Sequence, residues 1–268
     1  MKRTLVALAA VGGLLAACNA QQPPAGTVVA APLATAAVAA PQASAAKLAE
    51  VTLLLETRFK GAPIKGLRTS AFPNLFEAMV GDDMIYFDDK LAHFIVGNLI
   101  ETATMTNKTE DRTAELNAID IKQLPLADAF KEVRGKGERV MYVFTDVDCP
   151  FCTRLEQTLQ DVDNVTVYNF MYPIDSLHPA ARGKQKAIWC SKDRLASWKD
   201  AVLRKKFDAA AKGECTNPVD ATVALGQKLG VRATPSFFLA DGRMVAGAIP
   251  KDQLESRLNV AQTKVAAK

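Results

Sequence analysis

Apolar and polar positions alternate with two different periods along the middle of the chain. The stretch KLAEVTLLLETRF, which begins at Lys47, places leucines and valines three and four residues apart and so predicts an amphipathic helix. Short apolar runs follow, namely IKGLRTSAF, LFEAMV, MIYFDD and HFIVGNLI, and their turn residues predict strands joined by turns. Residues 47–103 are therefore expected to form a small α+β domain. A domain of this size buries a marginal core, so we expect it to rest on a partner surface.

Residues 104–137 carry apolar and charged positions at helical spacing, with a break at Pro125, and predict a linker helix. The run ERVMYVFTD then predicts a strand whose continuous apolar centre is covered on both faces. A helix, a second strand, a helical stretch from Pro179 through Ala224, two strands and a final helix from Pro250 follow. This order is typical of a thioredoxin fold with an inserted helical segment over residues 138–262, an α/β domain in a chain that is α+β overall.

The first residues have the pattern of an export signal. Residues 1–18 combine a basic start, an apolar run too short to span a bilayer, and small residues before a cysteine. Their end, LAAC, resembles the lipobox of bacterial lipoproteins, in which Cys18 would be lipidated; Asn19 then favours the outer membrane. An ordinary signal peptide cut near Ala20 is the alternative. Residues 19–46 are rich in Ala, Pro, Gln and Val without charge, which predicts a disordered tether.

Composition limits the class of partner and the chemistry of the cysteines. The chain has 268 residues, 49% of them hydrophobic and 23% charged, with a formal net charge of +4. Since Lys2 and Arg3 belong to the predicted signal, the mature charge is too small to indicate a nucleic-acid partner. Export places the chain in an oxidising compartment. Four cysteines remain besides Cys18, and an even number fits two disulfides.

The motif FTDVDCPFCTRLE places Cys149 where the apolar strand ends and a helix begins. Unpaired backbone N–H groups at a helix start favour an anion there, and Pro150 fits the first turn. Such contexts lower a cysteine pKa from near 8.5 to ~3.5–7.5. Cys149 is therefore predicted to be a nucleophile, and Cys152, one turn further on, the thiol that resolves its mixed disulfide. A structural disulfide is the main alternative. A metal site is less favoured, because the chain has a single Cys-X-X-Cys pair and its two histidines, His93 and His178, lie in different predicted elements. For His93 a structural role is favoured over metal ligation.

A second motif strengthens the redox interpretation. VRATPSFFLADGRMV places Thr234 and Pro235 directly before an apolar strand. Together with the two cysteines, this resembles the cis-proline loop of thioredoxin-fold proteins, which lies against the active-site sulfur. By that resemblance Thr234 sits beside Cys149, and Pro235 leaves the neighbouring backbone free to pair with an extended substrate segment.

The cysteine motif, KAIWC, LGQKLGVRATPS and DGRMVAGAIP resemble the DsbC/DsbG family of disulfide isomerases in order and spacing, and MIYFDD with HFIVGNLIE resembles its N-terminal dimerisation domain. The resemblance covers residues 47 to 258. It implies a structural disulfide between Cys190 and Cys215, for which two free buried cysteines are the alternative. It also matches Asp146 to an acid of the family, which either tunes the sulfur or fixes the loop. Asp148, next to Cys149, is expected to point to solvent.

The resemblance further implies a periplasmic enzyme that acts on misfolded, disulfide-containing exported proteins. Such an enzyme would form a V-shaped homodimer with an apolar cleft and would receive electrons from a membrane reductant of the DsbD type. No cofactor or metal is expected. The Pro-Phe dipeptide between the cysteines departs from the family. It leaves open a net reductase or oxidase for a narrow client set, and a lipid-anchored holdase is an alternative from another class.

Overall fold

The computed structural model describes residues 43–208 and 212–266. The predicted signal, the lipidation of Cys18 and most of the predicted tether lie outside the described residues. Among the helices that are described, none has the length and apolar character needed to cross a membrane.

The N-terminal part is one helix on a four-stranded antiparallel sheet. Helix α1 (Ala45–Arg58) begins two residues before the predicted start of the domain at Lys47, because the Ser44 hydroxyl accepts a hydrogen bond from the Lys47 N–H and caps it. Val51 and Leu55 are the fully buried residues of α1. They pack against aromatic and aliphatic side chains of the sheet, whose strands are β1 (Ile64–Thr69), β2 (Phe76–Val80), β3 (Asp83–Phe87) and β4 (Phe94–Val96), in that order.

The linker differs from its prediction. A short hairpin of β5 (Ile100–Glu101) and β6 (Thr106–Asn107) leads into α2 (Lys108–Leu116), which is the only α-helix described between 104 and 137. Two single 3₁₀ turns follow, and then β7 (Phe130–Arg134). In β7 Phe130 and Glu132 are buried while the residues between and after them are more exposed, and the strand pairs antiparallel with β9. The second domain's sheet therefore begins eight residues before the predicted boundary at 138.

The C-terminal part has the thioredoxin fold, as predicted. Its five strands lie in the order β11-β10-β8-β9-β7. The central strand β8 is parallel to β9 along its whole length, whereas the other neighbours are antiparallel. The elements not yet given are β8 (Arg139–Thr145), α3 (Pro150–Gln160), β9 (Val165–Met171), α4 (Ala181–Cys190), α5 (Arg194–Leu203), α6 (Val219–Lys228), β10 (Ser236–Leu239), β11 (Met244–Ala246) and α7 (Lys251–Ala266).

Strand β8 is covered on both faces, as its apolar run predicts. Met141 and Val143 pack with the buried leucines of α3 and α7, and Tyr142 and Phe144 pack on the opposite face with residues of α6. The end of this strand is therefore fixed from two sides. It is from that end that the chain enters the cysteine motif.

Candidate redox site

Cys149 is the N-cap of α3, and Pro150 is its first residue. No side-chain hydrogen bond caps this helix. The first turn therefore presents its free N–H groups toward the position that the cysteine sulfur occupies. Cys152 lies one turn further along. Both cysteines are free thiols in the structure, and the two residues are only 4% and 1% exposed.

The surroundings of Cys149 favour its thiolate. A hydrogen bond from the Cys152 thiol is the main cause that lowers the pKa of Cys149 from 9.0 to about 5, and Thr234 and the N–H groups of Phe151 and Cys152 act in the same direction. Burial opposes them. The Cys149 thiol also donates to the Thr234 carbonyl oxygen at 3.2 Å, a contact that only the protonated form makes. The net result is an acidic thiol, because the donors outweigh both opposing effects.

The surroundings of Cys152 favour its thiol. Burial is the first cause that raises the pKa of Cys152 well above 9.0, and its contact with Cys149 acts in the same direction. The backbone N–H of Asp146 lies 3.3 Å from the Cys152 sulfur and is its donor. The pKa values of two cysteines one helical turn apart are thus shifted in opposite directions.

The Thr234–Pro235 loop lies against Cys149, as the resemblance implies. The peptide bond between these residues is cis. The loop precedes β10, which pairs with β8 through Ser236 and Phe144. That pairing brings together Cys149 and Thr234, which are 85 residues apart in the sequence.

Asp146 fixes the loop between β8 and α3. Its side chain is fully buried. Its two carboxylate oxygens accept three hydrogen bonds of 2.9 Å each, from the N–H of Asp148, the N–H of Ile174 and Nδ1 of His178. The sequence contained no local signal for His178, because its partner lies 32 residues away.

The expectation that Asp148 points to solvent is wrong. Its carboxylate pairs with Lys184 of α4 at 2.7 Å, and its side chain is only 26% exposed. This cation offsets the negative charge next to Cys149. His93 also differs from its prediction. It precedes β4, and its side chain is 92% exposed, so it has no structural role in the core.

A second group of buried polar residues lies around Glu156 of α3. Glu156 accepts a hydrogen bond of 2.8 Å from the indole Nε1–H of Trp198, and burial raises the pKa of Glu156. Nearby on β7, Glu132 is paired with Lys199 and Arg134. The pattern of apolar and polar residues along the sequence did not single out Glu156 or Glu132.

Cys190 and Cys215 form a disulfide in the structure. It joins the end of α4 to the segment before α6, and the Cys215 N–H lies 3.2 Å from the Cys190 sulfur. Over the ranges 43–208 and 212–266, no group of three or more His, Cys, Asp or Glu side chains is arranged to hold a metal ion.

A thioredoxin fold with an acidic thiol at the start of its first long helix and a buried thiol one turn later defines a thiol:disulfide oxidoreductase. Residues 126–262 match the family described as thioredoxin-like domain, and residues 37–110 match the disulfide bond isomerase protein N-terminal domain. The chain belongs to the DsbC family of thiol:disulfide interchange proteins, which confirms the family resemblance of the sequence.

Three relatives show the extent of this likeness. A probable thiol:disulfide interchange protein DsbC of Bordetella pertussis is 42% identical over 75% of this chain and 70% of its own length. The thiol:disulfide interchange protein DsbC of Escherichia coli is 27% identical over 77% of this chain and 83% of its own. A solved disulfide interchange protein from Neisseria gonorrhoeae is 42% identical with a TM-score of 0.50, covering 52% of this chain and 99% of its own.

Proposed function

We propose that this chain is a periplasmic thiol:disulfide isomerase and reductase that rearranges wrong disulfides in exported proteins. The observation that carries the proposal is the unequal state of the two thiols, since hydrogen bonds favour the thiolate of Cys149 while burial favours the thiol of Cys152. Membership of the DsbC family and the signal-like residues 1–18 support the substrate class and the compartment.

In the proposed reaction, the Cys149 thiolate attacks one sulfur of a substrate disulfide. The substrate S–S bond breaks, a mixed disulfide forms, and the other substrate sulfur leaves as a thiolate. For isomerisation, that thiolate attacks a second disulfide of the same substrate, and a substrate thiolate finally displaces Cys149. The enzyme then ends as it began, with no net transfer of electrons.

For reduction, Cys152 attacks the mixed disulfide instead. This step forms the Cys149–Cys152 disulfide and releases the substrate as a dithiol, so the enzyme gives up two electrons. A membrane reductant of the DsbD type is the proposed donor that restores them. The loop of Thr234 and Pro235 is proposed as the surface that positions the extended substrate segment, because the Thr234 carbonyl already lies 3.2 Å from the attacking sulfur.

A trapping experiment tests the nucleophile. Cys152→Ala removes the resolving thiol, so mixed disulfides with exported proteins should accumulate through Cys149 and be released by dithiothreitol. The double variant Cys149→Ala, Cys152→Ala is the matched control and should trap nothing. Adducts that are equally abundant in both variants would contradict the assigned role.

The balance between isomerase, reductase and oxidase follows from the reduction potential of the pair. Phe151, between the cysteines, is 51% exposed, and the Arg154 guanidinium lies 5.4 Å from its ring centre. To determine this balance, reactivation of scrambled ribonuclease should be measured together with the reduction potential of the Cys149–Cys152 pair. Oxidation of reduced ribonuclease without reactivation of the scrambled form would favour the oxidase alternative. Full activity of a Cys149→Ala variant in cells would favour the holdase.

A homodimer through the N-terminal domain is also proposed. Strand β4 is one of the two edge strands of its sheet, and its residues Phe94, Ile95 and Val96 are 48%, 60% and 58% exposed. An exposed apolar edge strand is a template for pairing with another chain. Sedimentation of residues 43–268 should give twice the monomer mass, and Ile95→Lys should halve it, because a charge on the edge opposes pairing. A monomer at micromolar concentration would exclude this assignment.

A further inference from the structure

The loop between β9 and α4 holds a histidine against the redox loop. After β9 the N–H of Ile174 donates to an Asp146 oxygen, and the same oxygen lies 2.9 Å from Nδ1 of His178. The N–H groups of Leu177 and His178 both donate to the Ile174 carbonyl oxygen at 2.9 Å. The His178 carbonyl oxygen accepts from Ala181 in turn. The imidazole is therefore held by its own turn and by a buried carboxylate, with its side chain 20% exposed.

The charges around this imidazole are arranged in pairs with one exception. Lys184 of α4 neutralises Asp148, and Arg182 pairs with Asp175 of the same loop. Within the part of the chain that the structure describes, His178 is the only basic side chain that contacts Asp146. Besides Asp146, the charges of Cys149 and Asp148 act on His178, and Asp148 is already paired with Lys184.

We propose that His178 is a positioning residue of the redox site, whose imidazolium, oriented by Asp146, stabilises the Cys149 thiolate and makes the reactivity of the reduced protein depend on imidazole protonation. This inference rests on the proposed function and deepens it. It assigns a role in the thiol chemistry to a residue that neither cysteine motif contains.

The electrostatics have the sign that this role requires. The hydrogen bond to Asp146 is the main cause that raises the pKa of His178 above 6.5, and the charges of Asp146, Cys149 and Asp148 act in the same direction against burial. Interaction between two titrating groups is mutual, so the imidazolium favours the thiolate as much as the thiolate favours the imidazolium. Hydrogen bonds account for most of the acidity of Cys149, and His178 therefore modulates it.

The two groups coexist as an ion pair over a defined pH range. The pKa of Cys149 is about 5, and that of His178 lies above 6.5. Between these values the sulfur is a thiolate and the ring is an imidazolium. Above the pKa of His178 the ring becomes neutral and its contribution to the thiolate is lost. Oxidation to the Cys149–Cys152 disulfide removes the negative charge, so His178 should release its proton more easily in the oxidised protein.

Proton NMR of the intact protein measures this coupling directly. The chain has two histidines and so gives two imidazole Hε1 signals, which His93→Asn assigns. The pKa of His178 should fall by about half a unit on oxidation, a threefold change in proton affinity. The signal of the exposed His93 is the internal control and should not depend on the redox state. Equal values for His178 in the two redox states would overturn the proposal, and this test needs no variant at His178.

Alkylation kinetics provide the reciprocal test. His178→Asn keeps a donor near the Nδ1 position for Asp146 but carries no charge. In the reduced protein, the midpoint of the pH profile for iodoacetamide reaction at Cys149 should rise by about half a unit, a threefold loss of thiolate on the acid side. His93→Asn is the matched control and should superimpose on the parent. An unchanged midpoint in His178→Asn would show a structural role only and overturn the proposal, whereas an ordinary midpoint in the parent would instead refute the proposed function.

Discussion

Replacing Asp146 by alanine should destabilise the C-terminal domain far more than replacing Asp148, although the two acids flank the same residue. The Asp146 carboxylate is fully buried and accepts three hydrogen bonds. The Asp148 carboxylate is partly exposed and makes one ion pair with Lys184. The two substitutions remove the same functional group from positions two residues apart, so the comparison isolates the effect of the contacts.

The expected magnitudes follow from the groups that lose their acceptor. Asp146→Ala removes the carboxylate that accepts hydrogen bonds from the N–H groups of Asp148 and Ile174 and from the His178 ring. An unsatisfied donor costs about 1–3 kcal/mol when buried, and these donors are only partly buried, so a total of about 3 kcal/mol is expected. Asp148→Ala breaks one partly solvated ion pair, which is worth at most about 1 kcal/mol.

Urea unfolding followed by tryptophan fluorescence measures the difference. Both tryptophans of the chain, Trp189 and Trp198, lie in α4 and α5, so their emission reports on the C-terminal domain. Both variants and the parent should be compared in the same redox state of the cysteine pair. If Asp146→Ala costs no more free energy of unfolding than Asp148→Ala, the three hydrogen bonds do not hold the loop as argued.

Three other predictions concern separate parts of the chain. The double variant Cys190→Ser, Cys215→Ser should lose about 3.5 kcal/mol of unfolding free energy because the bond closes a loop across a sequence separation of 25; a loss under 1 kcal/mol in urea titration would argue against it. Burial raises the pKa of Glu156 above that of an unfolded glutamate, so its stabilising contribution is complete at low pH and is lost as pH rises through the folded value. Glu156→Gln keeps an oxygen for Trp198 and should gain stability relative to the parent as pH rises above the unfolded value of 4.5, by at most about 1.4 kcal/mol per pH unit; a difference that is independent of pH would contradict this. Cys18→Ser should move the protein to the soluble periplasmic fraction, and unchanged fractionation would indicate an ordinary signal peptide.

Local patterns in the sequence predicted the order of strand, cysteine motif and helix, because each of these elements is formed by consecutive residues. The apolar centre of β8 and the start of α3 at Pro150 are both visible without any tertiary information. The pair of Cys149 and Thr234, 85 residues apart, was accessible only through the resemblance to a known fold. The ion pair of Asp148 with Lys184 had no such guide, and the expectation for Asp148 failed accordingly.

The error in the linker has a physical cause. Leu126, Phe130 and Val133 are spaced four and three residues apart, which is the spacing of a helix. Residues 130–134 also fit the alternation of apolar and polar residues that is typical of a strand. A five-residue segment is too short for its period to distinguish a strand from a helix. Pairing with β9 supplies five register partners to β7 and decides for the strand. Tertiary pairing, which a single sequence does not display, outweighs local propensity here.

The acidity of Cys149 connects the stability of the fold to its preferred redox state. Cys149 occupies an N-cap where a side-chain oxygen would ordinarily accept a backbone hydrogen bond, and its protonated sulfur is a poor acceptor. The thiolate is a better one, which is consistent with a fall in the pKa of Cys149 from 9.0 to about 5 on folding. Because the folded value is the lower one, deprotonation contributes stability that is complete above the unfolded pKa and is lost as pH falls through about 5. The Cys149–Cys152 disulfide has no thiolate and forgoes that contribution. Folding therefore favours the dithiol over the disulfide at neutral pH, and a reduced pair is the form that the proposed isomerisation requires.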